Sequence, residues 1–412
     1  MGAIHLSQSQ GPKPSNATVS FTLEWAMNNF SSGFPTQGRK EYDNESFGKD
    51  REKQGDHKPE AARCEWDFSL ATVVSSGANA AVSDSLGVIE FDPSNTVVAT
   101  GGIARKIRIY DLKSLLPQDD IIVCNGEQND IALLDHVNAC SYYICTPAKL
   151  SSLRWKPGSG GRLLGSGDYD GVVTEYDLER KLPVFERDEH GGRIVWSVDY
   201  SHRDTFIGAS GSDDGTMQMW DQRCGSGECV AKVQPSTARS SVCCVEFSPS
   251  NDYLLAVGCA DKKAYAYDVR KMDEPLHVLG GHTKTVTYVR FLDTQTMVSA
   301  GTDGCLKLWN ISDCRLIRTY KGHKNCRSFV GLSVWRHGGL LGCGSENNKV
   351  FVYDKRWGEP IWVRCFETMA GAGFEHGFVN SVCWRQVQED RCTLLAGGSN
   401  GILQVFVGTK KS

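Results

Sequence analysis

The sequence predicts an all-β fold, a seven-bladed propeller with a disordered N-terminal tail. Three observations predict it. Short apolar runs with two-residue alternation, each carrying an aromatic near its end, recur seven times from residue 86 onward. A second run recurs seven times behind them, as KIRIYD, VVTEYD, MQMWD, AYAYD, LKLWN, VFVYD and LQVF. The last of these lies only a few residues from Ser412, while one spare strand pattern precedes the first repeat. A lone sheet of this kind cannot bury both faces, so the units must stack on neighbours.

Residues 1–62 differ from the rest. They are rich in Ser, Asn, Gly, Gln and mixed charge, as in QSQGPKPSN and GKDREKQGDHK. Such composition buries too little surface to offset the entropy of ordering. One apolar island, residues 21–30 (FTLEWAMNNF), has two readings: a transient helix in the tail, or a segment that folds on a partner. From residue 63 the pattern changes, and Trp66, Phe68 and Leu70 alternate as a half-buried strand.

The clearest unit runs through GHTKTVTYVRFLDTQTMVSAGTDGCLKLWN, with Gly304 placed for a positive φ in the turn Thr302-Asp303-Gly304. It resembles a WD40 repeat, a four-stranded propeller blade. The closing aromatics Tyr110, Tyr176, Trp220, Tyr267, Trp309, Tyr353 and Phe406 are spaced 66, 44, 47, 42, 44 and 53 residues apart. Most steps match the ~40–45 residues of such a blade, and the long ones mark loops. The expected architecture is therefore a seven-bladed WD40 β-propeller over residues 63–412, closed by pairing the N-terminal strand into the last blade. Closure removes a free edge.

Two loops exceed the usual length. In residues 113–149 the fourth strand of blade one is expected at 141–146. In residues 355–377 a fourth strand is expected at 362–366, leaving 367–375 as an exposed glycine-rich segment. Two blades carry a full set of His, Ser, Asp and Trp: His190, Ser210, Asp214 and Trp220, then His282, Ser299, Asp303 and Trp309. At this spacing they read as structural braces that satisfy buried polar groups between blades.

Charged residues make up 23% of the chain and the net charge is -4, which gives no support to general polyanion binding. No apolar run reaches the ~18 residues of a membrane span, and the first residues lack a secretory pattern. Sixteen cysteines, many inside strand patterns, read as small buried hydrophobes in reduced form. Cys224 and Cys229 lack the second pair that a zinc site needs. No nucleophile elbow, phosphate loop or H-E-x-x-H occurs, so neither an enzyme nor a cofactor or metal is expected. Recognition of partners by loops and the central opening is the default class. Arg223, Arg270 and Arg356 close W/Y-D-x-R runs on one rim, as surface arginines paired locally or as docking groups.

The runs ATGGIARKIRIYD, GDYDGVVTEYD, VWSVDYS, CCVEFSPSNDYLLAVGCADKKAYAYDVR, PLHVLGGHTKTVTYVRFL and FVGLSVWRHGGLLGCGSENNKVFVYDK resemble the WD40 domain of the plant constitutively photomorphogenic ubiquitin ligase and its phytochrome-suppressor partners. The chain has no RING finger, coiled coil or kinase-like region. That combination is similar to the repressor of UV-B photomorphogenesis proteins. The resemblance implies a non-enzymatic negative regulator of UV-B signalling, resident in nucleus and cytoplasm. Such a protein binds the UV-B photoreceptor through its core and its C-terminal Val-Pro segment, speeds its return from monomer to inactive dimer, and displaces the ubiquitin ligase. It also implies a second possibility, a substrate receptor of a cullin-4 ligase for transcription factors. The adaptor would then dock at Arg223 in WDQR, and more weakly at Arg270 and Arg356, where tyrosine replaces tryptophan. The ligase's Val-Pro pocket matches Arg108, Trp196, Lys284 and Phe329 here, with Arg193 nearby in a segment one residue longer than its counterpart. Trp196 and Phe329 would clasp proline and valine while the cations meet flanking acids. The alternative for each is a core aromatic or a solvated cation.

Overall fold

The computed structural model describes residues 63–76, 84–116, 131–224, 229–366, 377–388 and 390–411. The expected segments at 1–62 and 367–375 lie outside them. The chain forms seven sheets, six of them four-stranded and antiparallel, and the seventh built from strands at both ends of the described chain. Blade one contains Leu86–Phe91, Val97–Gly102, Lys106–Asp111 and Tyr142–Cys145, and the other blades repeat the plan. The fold is a seven-bladed β-propeller.

The seventh blade joins the two ends of the ring. Trp66–Ser75 pairs antiparallel with Leu403–Lys410, setting Phe68 opposite Gly408 and Leu70 opposite Phe406. The strand is longer than the expected 66–70, because a bulge after Leu70 lets Thr72, Val73 and Val74 continue the ladder. Pairing continues beyond it. Ala132–Asp135, inside the long loop of blade one, adds parallel to Thr72–Ser75 and makes this sheet five-stranded. Two single helical turns flank the added strand. Leu112–Leu115 is capped by Asp111, and His136–Ala139 by Asp135. The buried Leu112 and Leu115 sit in the apolar cluster of blades seven and one, and the Thr72 hydroxyl donates to the Leu115 carbonyl at 2.6 Å. In blade six the fourth strand is Pro360–Cys365, starting ahead of the expected 362 because Pro360 already pairs with Tyr353.

The core lies between blades. Trp335 and Trp384 stack at 6.1 Å, with Phe68 tilted on Trp384 at 6.2 Å. Burying each such ring contributes about 4 to 6 kcal/mol before the entropy of ordering is counted. Close approach fixes some small residues. A Cβ on Gly208 would stand 2.4 Å from the Trp220 ring, so the indole needs glycine beneath it. Gly304 takes φ +72° in its turn. All fifteen cysteines among the described residues are free thiols, and Cys243, Cys244, Cys259, Cys343, Cys383 and Cys392 are buried.

Candidate functional site: the aromatic mouth of the axis

The first strand of each blade lines the axis. Six of the seven pair with their second strands through a bulge near the strand start, between Leu86 and Val88, Leu150 and Ser152, Val195 and Ser197, Val242 and Cys244, Val286 and Tyr288, and Val379 and Ser381. A bulged residue leaves the ladder and its side chain is re-aimed. The residues so released are Gly87, Ser151, Trp196, Cys243, Thr287 and Asn380. Trp196 is the single large one. Blade six has no such bulge; Gly331, at φ +74°, packs against the Ser381 backbone just after Phe329 and Val330.

These placements bring two side chains from blades three positions apart into contact. The Trp196 and Phe329 rings stack at 4.9 Å with 16° between their planes. Tyr169 meets Trp196 edge-on at 6.0 Å, and Tyr288 meets Phe329 edge-on at 5.7 Å. All four are half-buried. Burial pushes both phenols above their ordinary range, so they stay neutral. The result is a layered aromatic surface of two tyrosines, a tryptophan and a phenylalanine, suited to an apolar or proline-bearing chain.

The expected cations are placed differently from one another. Arg108 is committed inside the protein: its Nη2 lies 2.8 Å from each oxygen of Asp84, and Ser76 donates to the same carboxylate. The sequence reading left Arg108 open to a ligand's acid, but Asp84, eighteen residues beyond the closing strand's start in chain order, was not recognisable as its partner. Arg193 is two-thirds exposed, 3.8 Å from Asp213. Lys284 is exposed and forms no ion pair among the described residues. Tyr169 and Tyr288 escaped the sequence reading as site residues, because their contacts with Trp196 and Phe329 join different blades and leave no local signal.

The three rim arginines are each held by the aspartate two residues earlier. Arg223 reaches Asp221 and Asp204 at 2.6 Å and lies over Phe206 at 5.1 Å. Arg270 reaches Asp268 at 2.6 Å and lies over Tyr253 at 4.0 Å. Arg356 bonds Asp354 at 2.7 Å and Glu65 at 3.0 Å. The hydrogen bonds from Arg270 pull Asp268 down to about 2.

The braces differ between blades. In blade five Trp309 Nε1 donates to Ser299 Oγ at 2.8 Å, Ser299 lies 2.8 Å from His282 Nε2, and His282 Nδ1 lies 3.0 Å from Asp303. Burial opposes the Asp303 charge, yet His282 and the Thr283 amide outweigh it and hold it at about 2. In blade three His190 contacts Ser210 at 2.8 Å and Asp214 at 2.9 Å, but the Trp220 indole nitrogen finds no partner. Its ring turns instead against Tyr200 and under Arg187.

A second axial feature was legible but unread. Just before the aromatic that ends each of them (Phe91, Trp155, Tyr200, Phe247 and Phe291), five first strands carry Glu90, Arg154, Asp199, Glu246 and Arg290. Arg154 bridges Glu90 at 3.2 Å and Asp199 at 3.1 Å, and Arg336 reaches Glu246 at 3.3 Å. A cavity of about 320 Å³ lies among them. Burial pushes Glu90 up, while the surrounding carboxylates outweigh burial and hold Arg154 above its ordinary value. Among the described residues no cluster could hold a metal ion.

Comparison with known proteins completes the description. Residues 181–221 match the WD domain, G-beta repeat, and residues 206–369 the N-terminal domain of nucleolar protein 10-like proteins. WD repeat-containing protein RUP2 of Arabidopsis thaliana is 62% identical over 333 residues, covering 80% of this chain and 89% of that protein. The chain belongs to the RUP family of WD repeat proteins. RUP1 of the same plant is 58% identical over 348 residues, 84% of this chain and 86% of RUP1. E3 ubiquitin-protein ligase COP1 of Pisum sativum is 35% identical over 323 residues, 77% of this chain but 44% of the ligase. RUP-family membership and this likeness to COP1 support a WD40 regulatory protein of the light-signalling pathway, on a scaffold where no catalytic activity is evident.

Proposed function

We propose that this RUP-family chain is a non-enzymatic repressor that binds the UV-B photoreceptor, promotes its return to the inactive dimer and displaces the ubiquitin ligase. The observation that carries the reading is the Trp196–Phe329 stack, 4.9 Å apart across the axis. A Val-Pro segment offers a flat, rigid ring and a branched apolar side chain, and both suit insertion between or onto such rings. Exposed Lys284 and Arg193 are available to acids flanking that segment, whereas Arg108 would act through its Asp84 pair. The photoreceptor core would bind a second surface, and tethering by the tail raises the effective concentration of that contact. Differential affinity for the dimer-competent state then drives the return. Residence in both nucleus and cytoplasm belongs to the same proposal.

The test is titration of the purified chain with the photoreceptor's C-terminal Val-Pro peptide, wild type against Trp196→Ala. Loss of at least ~2 kcal/mol, about 30-fold in Kd, is expected for a hot-spot aromatic. Unchanged affinity sinks the pocket. A second reading, docking to a cullin-4 adaptor, draws on the half-exposed guanidiniums of Arg223, Arg270 and Arg356 along one rim. Retained adaptor binding by Arg223→Ala would reject it.

A further inference from the structure

Cys314 sits at φ +57° in the turn between Cys305–Asn310 and Leu316–Tyr320, on the outside of blade five. Its Sγ lies 3.3 Å from Nδ1 of His277, which belongs to the outermost strand of blade four, His277–Gly280. Both residues are half-buried, so both reach solvent. Of the other thiols among the described residues, Cys64, Cys140 and Cys229 donate to backbone carbonyls, several are buried, and Cys145, Cys224, Cys326 and Cys365 are exposed. Cys314 alone among them contacts an imidazole. The two outer strands that meet here are also apolar on their open sides: Leu276, Val278, Leu316 and Ile317 are each 40 to 55% exposed.

A thiol hydrogen-bonded to an imidazole is a nucleophile beside its own base. Among the described residues no second thiol is bonded to the pair, and the flanking surface is apolar. We infer that the Cys314–His277 pair is a covalent modification site for apolar α,β-unsaturated carbonyl compounds. In the reaction Nδ1 of His277 takes the thiol proton as sulfur bonds to the β-carbon. The carbon–carbon π pair shifts to form the bond between the α-carbon and the carbonyl carbon, the carbonyl π pair moves to oxygen, and the resulting enolate is reprotonated at its α-carbon by the imidazolium. The adduct holds every atom of both reactants; nothing leaves, and no oxidant or reductant is used. An adduct here would stand on the circumference between blades four and five, away from the aromatic mouth.

The test uses the full chain and trans-2-hexenal at substoichiometric ratio, with borohydride trapping and peptide mapping at pH 7. The exposed thiols Cys145, Cys224, Cys326 and Cys365 are internal references. Cys314 is expected to label about a hundredfold faster than any of the four, the lower end of general-base assistance, and His277→Gln to remove that advantage without changing the melting curve. Labelling of wild-type Cys314 no faster than the exposed thiols overturns the inference without need of any variant. So does an undiminished rate in a folded His277→Gln protein.

Discussion

Replacing Ser299 with alanine removes one oxygen that serves two buried partners. With His282 Nδ1 donating to Asp303, Nε2 must accept from the Ser299 hydroxyl, and that hydroxyl oxygen accepts from Trp309 Nε1; both contacts are 2.8 Å. Ser299 is fully buried, so no water replaces it directly. Each stranded group costs about 1 to 3 kcal/mol, giving about 2 to 6 kcal/mol in all. That is a large share of a typical total of about 5 to 15 kcal/mol. Ser210→Ala in blade three is the matched control, because Ser210 serves His190 but not Trp220. It strands one group and should cost about 1 to 3 kcal/mol. Denaturant midpoints for the two variants, side by side, measure the difference. Equal losses, or a larger loss for Ser210→Ala, would refute the assignment of two partners to one oxygen and one to the other.

Arg154→Met leaves Glu90 and Asp199 unpaired beside the axis and should destabilise by about 3 to 5 kcal/mol, with Glu90→Gln recovering part of it in a double-mutant cycle of thermal melts. Burial lowers His323 to about 4, below its ordinary 6.5. The unfolded chain therefore binds the extra proton first, and this contribution, about 3 kcal/mol at most, is complete above pH 6.5 and lost as pH falls toward 4; melting at pH 7.5 and pH 5 should diverge less in His323→Gln than in wild type. Leu115→Ala empties a fully buried site under the added strand and should cost about 2 to 5 kcal/mol, read as a lowered denaturant midpoint and faster hydrogen exchange over residues 132–135.

Repetition made most of the fold legible. Tyr110, Tyr176 and Trp220 announce the same strand because each blade solves the same packing problem, so one pattern is read seven times. What occurs once was hidden. Ala132–Asp135 is four residues inside a loop, and its parallel partner Thr72–Ser75 lies some sixty residues earlier, so no local period betrays the pairing. The braces show a similar limit. Trp220 and Trp309 occupy equivalent positions, yet only Trp309 reaches its serine, because Tyr200, Arg187 and the bare Gly208 offer the Trp220 ring another seat.

The candidate site divides along the same line. Trp196 and Phe329 could be named from their segments, but their stacking depends on a bulge in blade three, its absence in blade six and the distance across a closed ring. By itself the sequence determined the repeat, the number of blades and the residue types at each strand position, since these follow from periods of two within strands and of some forty residues between them. Tertiary structure alone decided which side chains meet. Arg108 went to Asp84, Arg356 also to Glu65, Cys314 to His277, and Trp196 to Phe329. Contacts between blades depend on ring closure, which brings together residues that no local spacing relates.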